Sequence, residues 1–395
     1  MKKILICILS VLLLCSCSVE TEKKSSNSQP ADALYVKAVW ITYYELQSFT
    51  ENCDTAEEFT EEITDAFDEL HNKGFNTVTV QVRPCADAFY KSSCFPVSQY
   101  CFGEEGSELK YDPLSIMCEA ADNTKMRIEA WVNPYRVSQQ NDIKKLSEDN
   151  IAKKWYEEKN GNVYIGDKAI YFNPASDEVK ELIVNGVSEI VENYDVDAIH
   201  FDDYFYPTTD KDIDKIEYKE YKDEGGELGL SAWRRENVNE MIKNVYSAVK
   251  KANKNVLFGI SPAAGMKNDY ETLYADVYKW TSEEGYCDYI CPQVYFGFLN
   301  DSLPFMKTVK DWRDQVSSCS LYIGLPLYKC GKADEYAGRG ENEFKENSDM
   351  IGRQIKYIAQ IDAVSGYYVF SYSYLKDEKL HKEVSNLYSA MQKSS

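Results

Sequence analysis

Eight apolar, strand-like runs recur along the chain from Tyr35, most of them followed by a stretch of helical spacing, and this alternation limits the fold more than any other feature. The runs are VKAVWITYY (36–44), FNTVTVQVR (75–83), MRIEAWVN (126–133), VDAIHFDD (196–203), VLFGISP (256–262), CDYICPQVYF (287–296), LYIGLPLY (321–328) and GYYVFSY (366–372). Helical segments are expected to begin near Thr55, Pro113, Asp177, Ala232, Glu271, Leu303, Glu346 and Lys376, several behind capping residues such as Asp112, Ser176 and Ser231. Strands alternating with helices form a parallel sheet, and eight units suit closure into an α/β fold of the (β/α)8 TIM-barrel type. An open doubly wound sheet is the alternative, weakened because no Gly-rich phosphate turn follows any strand.

Connections entering strands are short, as at 72–74 and 253–255. Those leaving strands two, three, four and seven span 84–112, 134–175, 204–230 and 329–345, far beyond the usual ~2–6 residues. In a barrel such loops build the C-terminal face, where chemistry takes place. No linker or repeat divides residues 35–395, which read as one domain.

Strand alternation sorts residues inward and outward. Strand two puts Val78, Val80 and Val82 on one face and Thr77, Thr79, Gln81 and Arg83 on the other. Strand three opposes Ile128, Ala130 and Val132 to Arg127, Glu129, Trp131 and Asn133, and strand four opposes Ile199 and Phe201 to His200 and Asp202. With the apolar faces against helices, Gln81, Arg83, Asn133, His200, Asp202, Gln293 and Tyr295 gather at one mouth. Charged groups there need mutual pairing or a ligand. For Arg83 a structural ion pair with Asp202 or Asp87 competes with substrate contact. His200 competes as a hydrogen-bonded core residue, and Glu129 lies deeper. Asp202-Asp203 stands apart: two adjacent carboxylates at a strand's C-terminal end have little structural purpose and point to catalysis. Trp131, Trp155, Tyr164, Tyr171, Tyr204, Tyr206, Phe296, Phe298 and Tyr328 fall on or near the active-face loops, either stacking on sugar rings or packing the loops onto the barrel.

The net charge of −21 argues against a nucleic-acid partner, and three scattered histidines exclude most multi-histidine metal sites; no metal or cofactor is expected. Lys2 and Lys3 precede an apolar run, Ile4–Leu14, too short to span a bilayer at ~20 helical positions. It ends in Leu14-Cys15-Ser16-Cys17, which resembles a lipobox. Residues 1–16 therefore read as a lipoprotein signal peptide, Cys17 as the acylated residue, and the polar stretch 17–34 as a flexible tether. The expected location is outside the cytoplasm, anchored to a bacterial membrane through Cys17. Among the remaining cysteines, Cys94 and Cys101 share a loop and are the best disulfide candidates.

The segments QVRPCADAFY, AWVNPYR, FNP (172–174), DAIHFDDYFYP and CPQVYF resemble, in order on successive strands, the motifs of the glycosyl hydrolase-like family ten. The resemblance runs from about Val36 to Tyr374. It implies a (β/α)8 barrel and glycoside hydrolysis, for the family includes a division-associated enzyme that cleaves denuded peptidoglycan glycans. A polysaccharide substrate is thereby implied, with Asp202 and Asp203 as catalytic residues and Gln81, Arg83, Asp87, Trp131, Asn133, Arg136, His200, Tyr204, Gln293 and Tyr295 as substrate-binding ones. Strand seven, unlike that of older retaining barrel hydrolases, ends without a carboxylate. Two mechanisms follow: the Asp pair working with a loop acid such as Asp87 or Asp269, or attack by the substrate's own 2-acetamido oxygen. The adjacent pair is similar to that of hexosaminidases and favours the second, provided strand four ends early enough for Asp203 to reach the cleft. A non-catalytic glycan-binding barrel is the alternative from another class. A metal-dependent deacetylase is disfavoured by the histidine count.

The lipobox reading predicts that Cys17→Ser releases the protein from membranes on cell fractionation. Unchanged membrane association in that variant overturns it.

Overall fold

Local capping chemistry sets most of the helix starts. Thr55 closes a capping box with Glu58 at the head of Ala56–Lys73, Asp112 accepts from the Ser115 N–H ahead of Pro113–Thr124, and Ser176 accepts from the Val179 N–H ahead of Asp177–Asn193. The computed structural model describes residues 35–393; the leader, the tether and Cys17 lie outside the described residues. Eight strands follow in chain order: β1 (Val36–Ile41), β2 (Thr77–Arg83), β3 (Arg127–Val132), β4 (Ala198–Phe201), β5 (Leu257–Ile260), β6 (Tyr289–Ile290), β7 (Ser320–Leu325) and β8 (Val364–Val369). All pair in parallel, and β1 bonds to both β2 and β8, so the sheet closes into a barrel and the open-sheet alternative falls.

Four boundaries stand out against the sequence expectation. Strand six is cut to two residues because Pro292 has no N–H for the ladder; Gln293 resumes pairing only as isolated bridges to Ala263 and Gly324. The helix expected from Glu271 is a short one that ends there, Met266–Glu271, followed by Val277–Ser282 behind the Asp276 cap. The last two helices start later than expected, at Met350 and His381. The Glu383 carboxylate fixes the first of these starts by accepting the Met350 and Ile351 N–H groups at 3.0 and 2.7 Å. Cys94 and Cys101, the best candidates for a disulfide, are both free thiols, Cys101 sunk in the apolar core and Cys94 half-buried beside Ser93, and most of the other described cysteines are free and buried.

The molecule has two cores. The larger lies between strands and helices and takes Val78, Val80, Val82, Ile128, Ala130, Ile199 and Phe201. The smaller fills the barrel itself with Val36, Ala38, Trp40, Trp131, Ala198, Tyr289, Cys291, Tyr322 and Tyr368. So many rings fit only because small residues face them. A Cβ on Gly259 would stand 1.9 Å from the Tyr289 ring, so this position on β5 must be glycine.

Alternation fails at the end of β2. Pairing with β3 runs Gln81 to Trp131 and then Arg83 to Val132, so Val82 is an extra residue in a bulge. Val82 and Arg83 therefore both point to the helix layer. The Arg83 guanidinium stacks 4.5 Å from the Phe95 ring and lies against Gly186, where a Cβ would come 2.8 Å from its Nη1. It is 1% exposed, and neither Nε nor Nη1 has a partner among the described residues. Arg83 is thus a buried structural cation and not a cleft residue, which corrects the expectation from alternation. Replacing a buried ion by an apolar side chain of similar length is commonly neutral or stabilising. Arg83→Met should therefore melt at or above the parent temperature, whereas a fall of more than ~5 °C would show that the guanidinium is needed where it sits.

Candidate active site

A carboxylate anchors the floor. Glu129 on β3 accepts from Thr79 Oγ1 (2.8 Å), Tyr289 Oη (3.1 Å) and Tyr368 Oη (2.8 Å), and is 1% exposed. Above it, Trp40 Nε1 donates to His200 Nε2 at 3.2 Å, while His200 Nδ1 lies 2.9 Å from the Tyr289 hydroxyl. Because Nε2 accepts, Nδ1 carries the proton and donates to Tyr289, which donates onward to Glu129. Burial pushes the imidazole down to about 3, so His200 is a neutral positioning residue rather than an acid or base.

Over this floor opens a cleft of about 460 Å³ at the C-terminal mouth. Strand β4 ends at Phe201, so the strand rule no longer separates the next two residues, and Asp202 and Asp203 both line the cleft. Asp202 Oδ2 accepts from Trp131 Nε1 (3.0 Å) and Asn133 Nδ2 (3.2 Å), and Oδ1 from the Tyr204 N–H (3.4 Å). Burial, with the neighbouring Asp203 charge, raises Asp202 to about 7, against the opposing pull of Arg136. Asp203 is less enclosed, is raised chiefly by burial, and is steadied by Gln293. Both carboxyls are thus held above the usual carboxylate range.

Gln81, Trp131, Arg136, His200, Tyr204, Gln293 and Tyr295 line the cleft with the pair, as expected from the sequence, and Asn133 serves it through Asp202. Two expected members do not. Arg83 faces the helices, and Arg136 supplies the positive charge assigned to it. Asp87, 4% exposed, turns from the cleft to accept from Ser98 Oγ at 2.6 Å; burial raises it to about 7. Of the aromatic candidates, Trp131, Tyr204 and Tyr328 reach the cleft, whereas Trp155 packs on Phe172 and Tyr206 on Tyr274. Sequence reasoning missed Trp40, Tyr44, Gln139, Ser261 and Phe370. Trp40 was within reach, since Val36, Ala38 and Trp40 alternate inward on β1. Among the described residues no group of three or more His, Cys, Asp or Glu side chains is placed to hold a metal ion.

A third carboxyl stands behind the cleft. Asp269 is fully buried, neither oxygen has a partner among the described residues, and burial with the Asp203 charge raises it from 3.8 to about 8. Between those values the native chain holds a proton that the unfolded chain releases. This group's contribution to stability therefore falls as pH rises from about 4 to 8. Asp269→Asn, neutral throughout, should leave the melting temperature near pH 5 little changed and raise it by a few degrees at pH 9. Parallel pH profiles for the two proteins would show that Asp269 is not held neutral.

The matches to known proteins agree with this architecture. "Glycosyl hydrolase YngK" of Bacillus subtilis (strain 168) is 33% identical over 368 residues, covering 87% of this chain and 68% of the relative. "Glycosyl hydrolase DigH" of Escherichia coli (strain K12) is 31% identical over 354 residues, covering 82% and 78%. Among solved structures, the PgaB (BpsB) glycoside hydrolase domain from Bordetella bronchiseptica superimposes with a TM-score of 0.58 at 9% identity, over 90% of this chain and 98% of that one, a likeness of fold alone. Residues 35–338, nearly the whole barrel, match the family described as glycosyl hydrolase-like 10, and the chain belongs to that family.

Proposed function

We propose that the protein hydrolyses glycosidic bonds in an N-acetylated bacterial cell-wall polysaccharide, with denuded peptidoglycan glycan strands as the foremost substrate, while tethered outside the cytoplasm by lipid on Cys17. The observation that carries this reading is the Asp202–Asp203 pair in a polar, aromatic-walled cleft at the barrel mouth. Among the described residues that line it, the two are the only carboxylates. Asp87 and Glu129 are engaged elsewhere and Asp269 is enclosed behind, which leaves no separate protein nucleophile at the cleft surface and favours substrate assistance.

In that mechanism the substrate's acetamide oxygen attacks the anomeric carbon while Asp203 passes its proton to the departing glycosidic oxygen. Asp202, its anion supported by three N–H donors, keeps a lone pair on Oδ1 for the acetamide N–H. A sugar in the cleft strips water from the more exposed Asp203 and so favours its protonated form. Water then opens the cyclic intermediate, its proton returning to Asp203.

Soluble protein incubated with stripped glycan strands should generate new reducing ends, read by mass spectrometry. Asp203→Asn should slow natural glycan by about 10²–10⁴-fold yet largely spare glycosides with a good leaving group, whereas Asp202→Asn should impair both. A thiazoline analogue should inhibit. Rapid cleavage of a plain glucoside would overturn substrate assistance, and binding without turnover on any glycan would make the barrel a glycan-binding protein instead.

A further inference from the structure

Among the residues lining the cleft, Arg136 is the one permanent cation, since His200 is held neutral. It follows β3 at the start of a three-stranded antiparallel sheet, formed by 136–138, 163–165 and 170–172, that caps one side of the mouth. Its position is fixed at several points. The backbone N–H donates to Asn133 Oδ1 at 3.0 Å, Nε donates to the Pro84 carbonyl at 3.0 Å, and the guanidinium carbon lies 4.7 Å over the Tyr204 ring. It is 9% exposed. Its hydrogen-bond and ring partners are neutral groups: the Pro84 carbonyl, the Cys85 thiol and the Tyr204 ring. Among the described residues it forms no ion pair, in contrast to the fully buried Arg234, which is clamped by Asp214 at 2.6 Å. Asp202 and Asp203 act on it only from beyond ion-pair distance.

A planar guanidinium held rigid by stacking, with one edge tied down and no carboxylate within ion-pair distance among the described residues, matches the two oxygens of a carboxylate. We infer that Arg136 binds a carboxylate carried by the substrate itself, so that the preferred glycan is an acidic N-acetylated one, with an acid-bearing ether such as the lactyl group of muramic acid, and not a neutral poly-N-acetylhexosamine. This rests on the hydrolase reading and narrows its substrate. The net charge of −21 does not oppose it, because exposed charges are screened beyond about 8 Å at physiological salt while the enclosed Arg136 is screened far less. Tyr204, 45% exposed on one face and stacked on Arg136 by the other, offers a ring for the same sugar.

The test compares stripped glycan strands with the same strands after reduction of their carboxylates to alcohols. The parent protein should prefer the acidic form at least about tenfold in kcat/KM, chiefly through KM. Arg136→Gln should bring that ratio to near one, and Arg136→Lys, which keeps charge but loses the fork, should fall between. The ratio isolates recognition from any general effect of Arg136 on Asp202, which slows both substrates alike; equal losses on both forms would overturn the inference. Calorimetry on Asp203→Asn, with and without Arg136→Gln, reads binding of the acidic disaccharide against chitobiose independently of turnover. A binding preference abolished by Arg136→Gln supports the subsite even where no cleavage is found, in which case the hydrolase reading alone fails. Binding that ignores the carboxylate overturns the subsite even where cleavage is rapid.

Discussion

A single buried carboxylate ties the barrel together. Glu129 takes hydrogen bonds from β2, β6 and β8, and through Tyr289 and His200 the chain of donors continues to β4 and to Trp40 on β1. Six of the eight strands are thus joined by one polar network inside an otherwise aromatic interior. Each donor in it has an acceptor, so the network specifies a register that apolar packing alone leaves free. Removing one partner would strand the others in a low-dielectric space, at a cost of about 1–3 kcal/mol for each neutral group.

That network also orients the floor of the cleft. Trp40 and His200 belong to both, with Trp40 set by its bond to His200 and by ring contacts with Tyr368 and Phe370. His200 stacks on Tyr368 and lies tilted against Tyr289, which holds its accepting nitrogen toward Trp40. The surface that a sugar would meet is therefore rigid from beneath, and the variable parts of the site are the long loops around it. Tyr44, on the helix Tyr43–Asn52 that follows β1, and Tyr204, on the loop after β4, are both well exposed at the cleft.

Much of this was legible in the sequence, because a parallel barrel repeats a simple rule. Period-two alternation on β2, β3 and β4 placed Gln81, Glu129, Trp131, His200 and Asp202 inside correctly, and loop length named the active face. The failures have local causes. One extra residue at Val82 turned Arg83 outward, and nothing in QVRP announces a bulge that depends on how the partner strand is met. Asp87 sits in a loop whose direction is set by Ser98, eleven residues on, a contact no periodicity encodes. Pro292 did announce the early end of β6, and Trp40 was readable from β1 had the same alternation been applied there. Ser261 was readable in the same way, as it continues the inward positions 257 and 259 of β5, whereas Gln139 reaches the cleft from a segment beyond the strands, where sequence carries no facing rule.

The carboxyl groups around the mouth show what the site demands of the fold. Asp202, Asp203 and Asp269 are all raised by burial, Asp202 to about 7 and Asp269 to about 8, with Arg136 as the only cation lining the cleft beside them. A fold selected for stability alone would pair or expose such groups, as it does Asp214 with Arg234. Here the pairing is withheld from both signs: the acids keep a proton available near neutrality, and the arginine keeps its charge available for a partner. The same enclosure that makes the resting site unfavourable makes each interaction within it stronger when a ligand displaces the remaining water. A protonated Asp203 facing a glycosidic oxygen and an unpaired Arg136 facing a carboxylate are two uses of that one condition, and both depend on the Glu129 network holding the floor still beneath them.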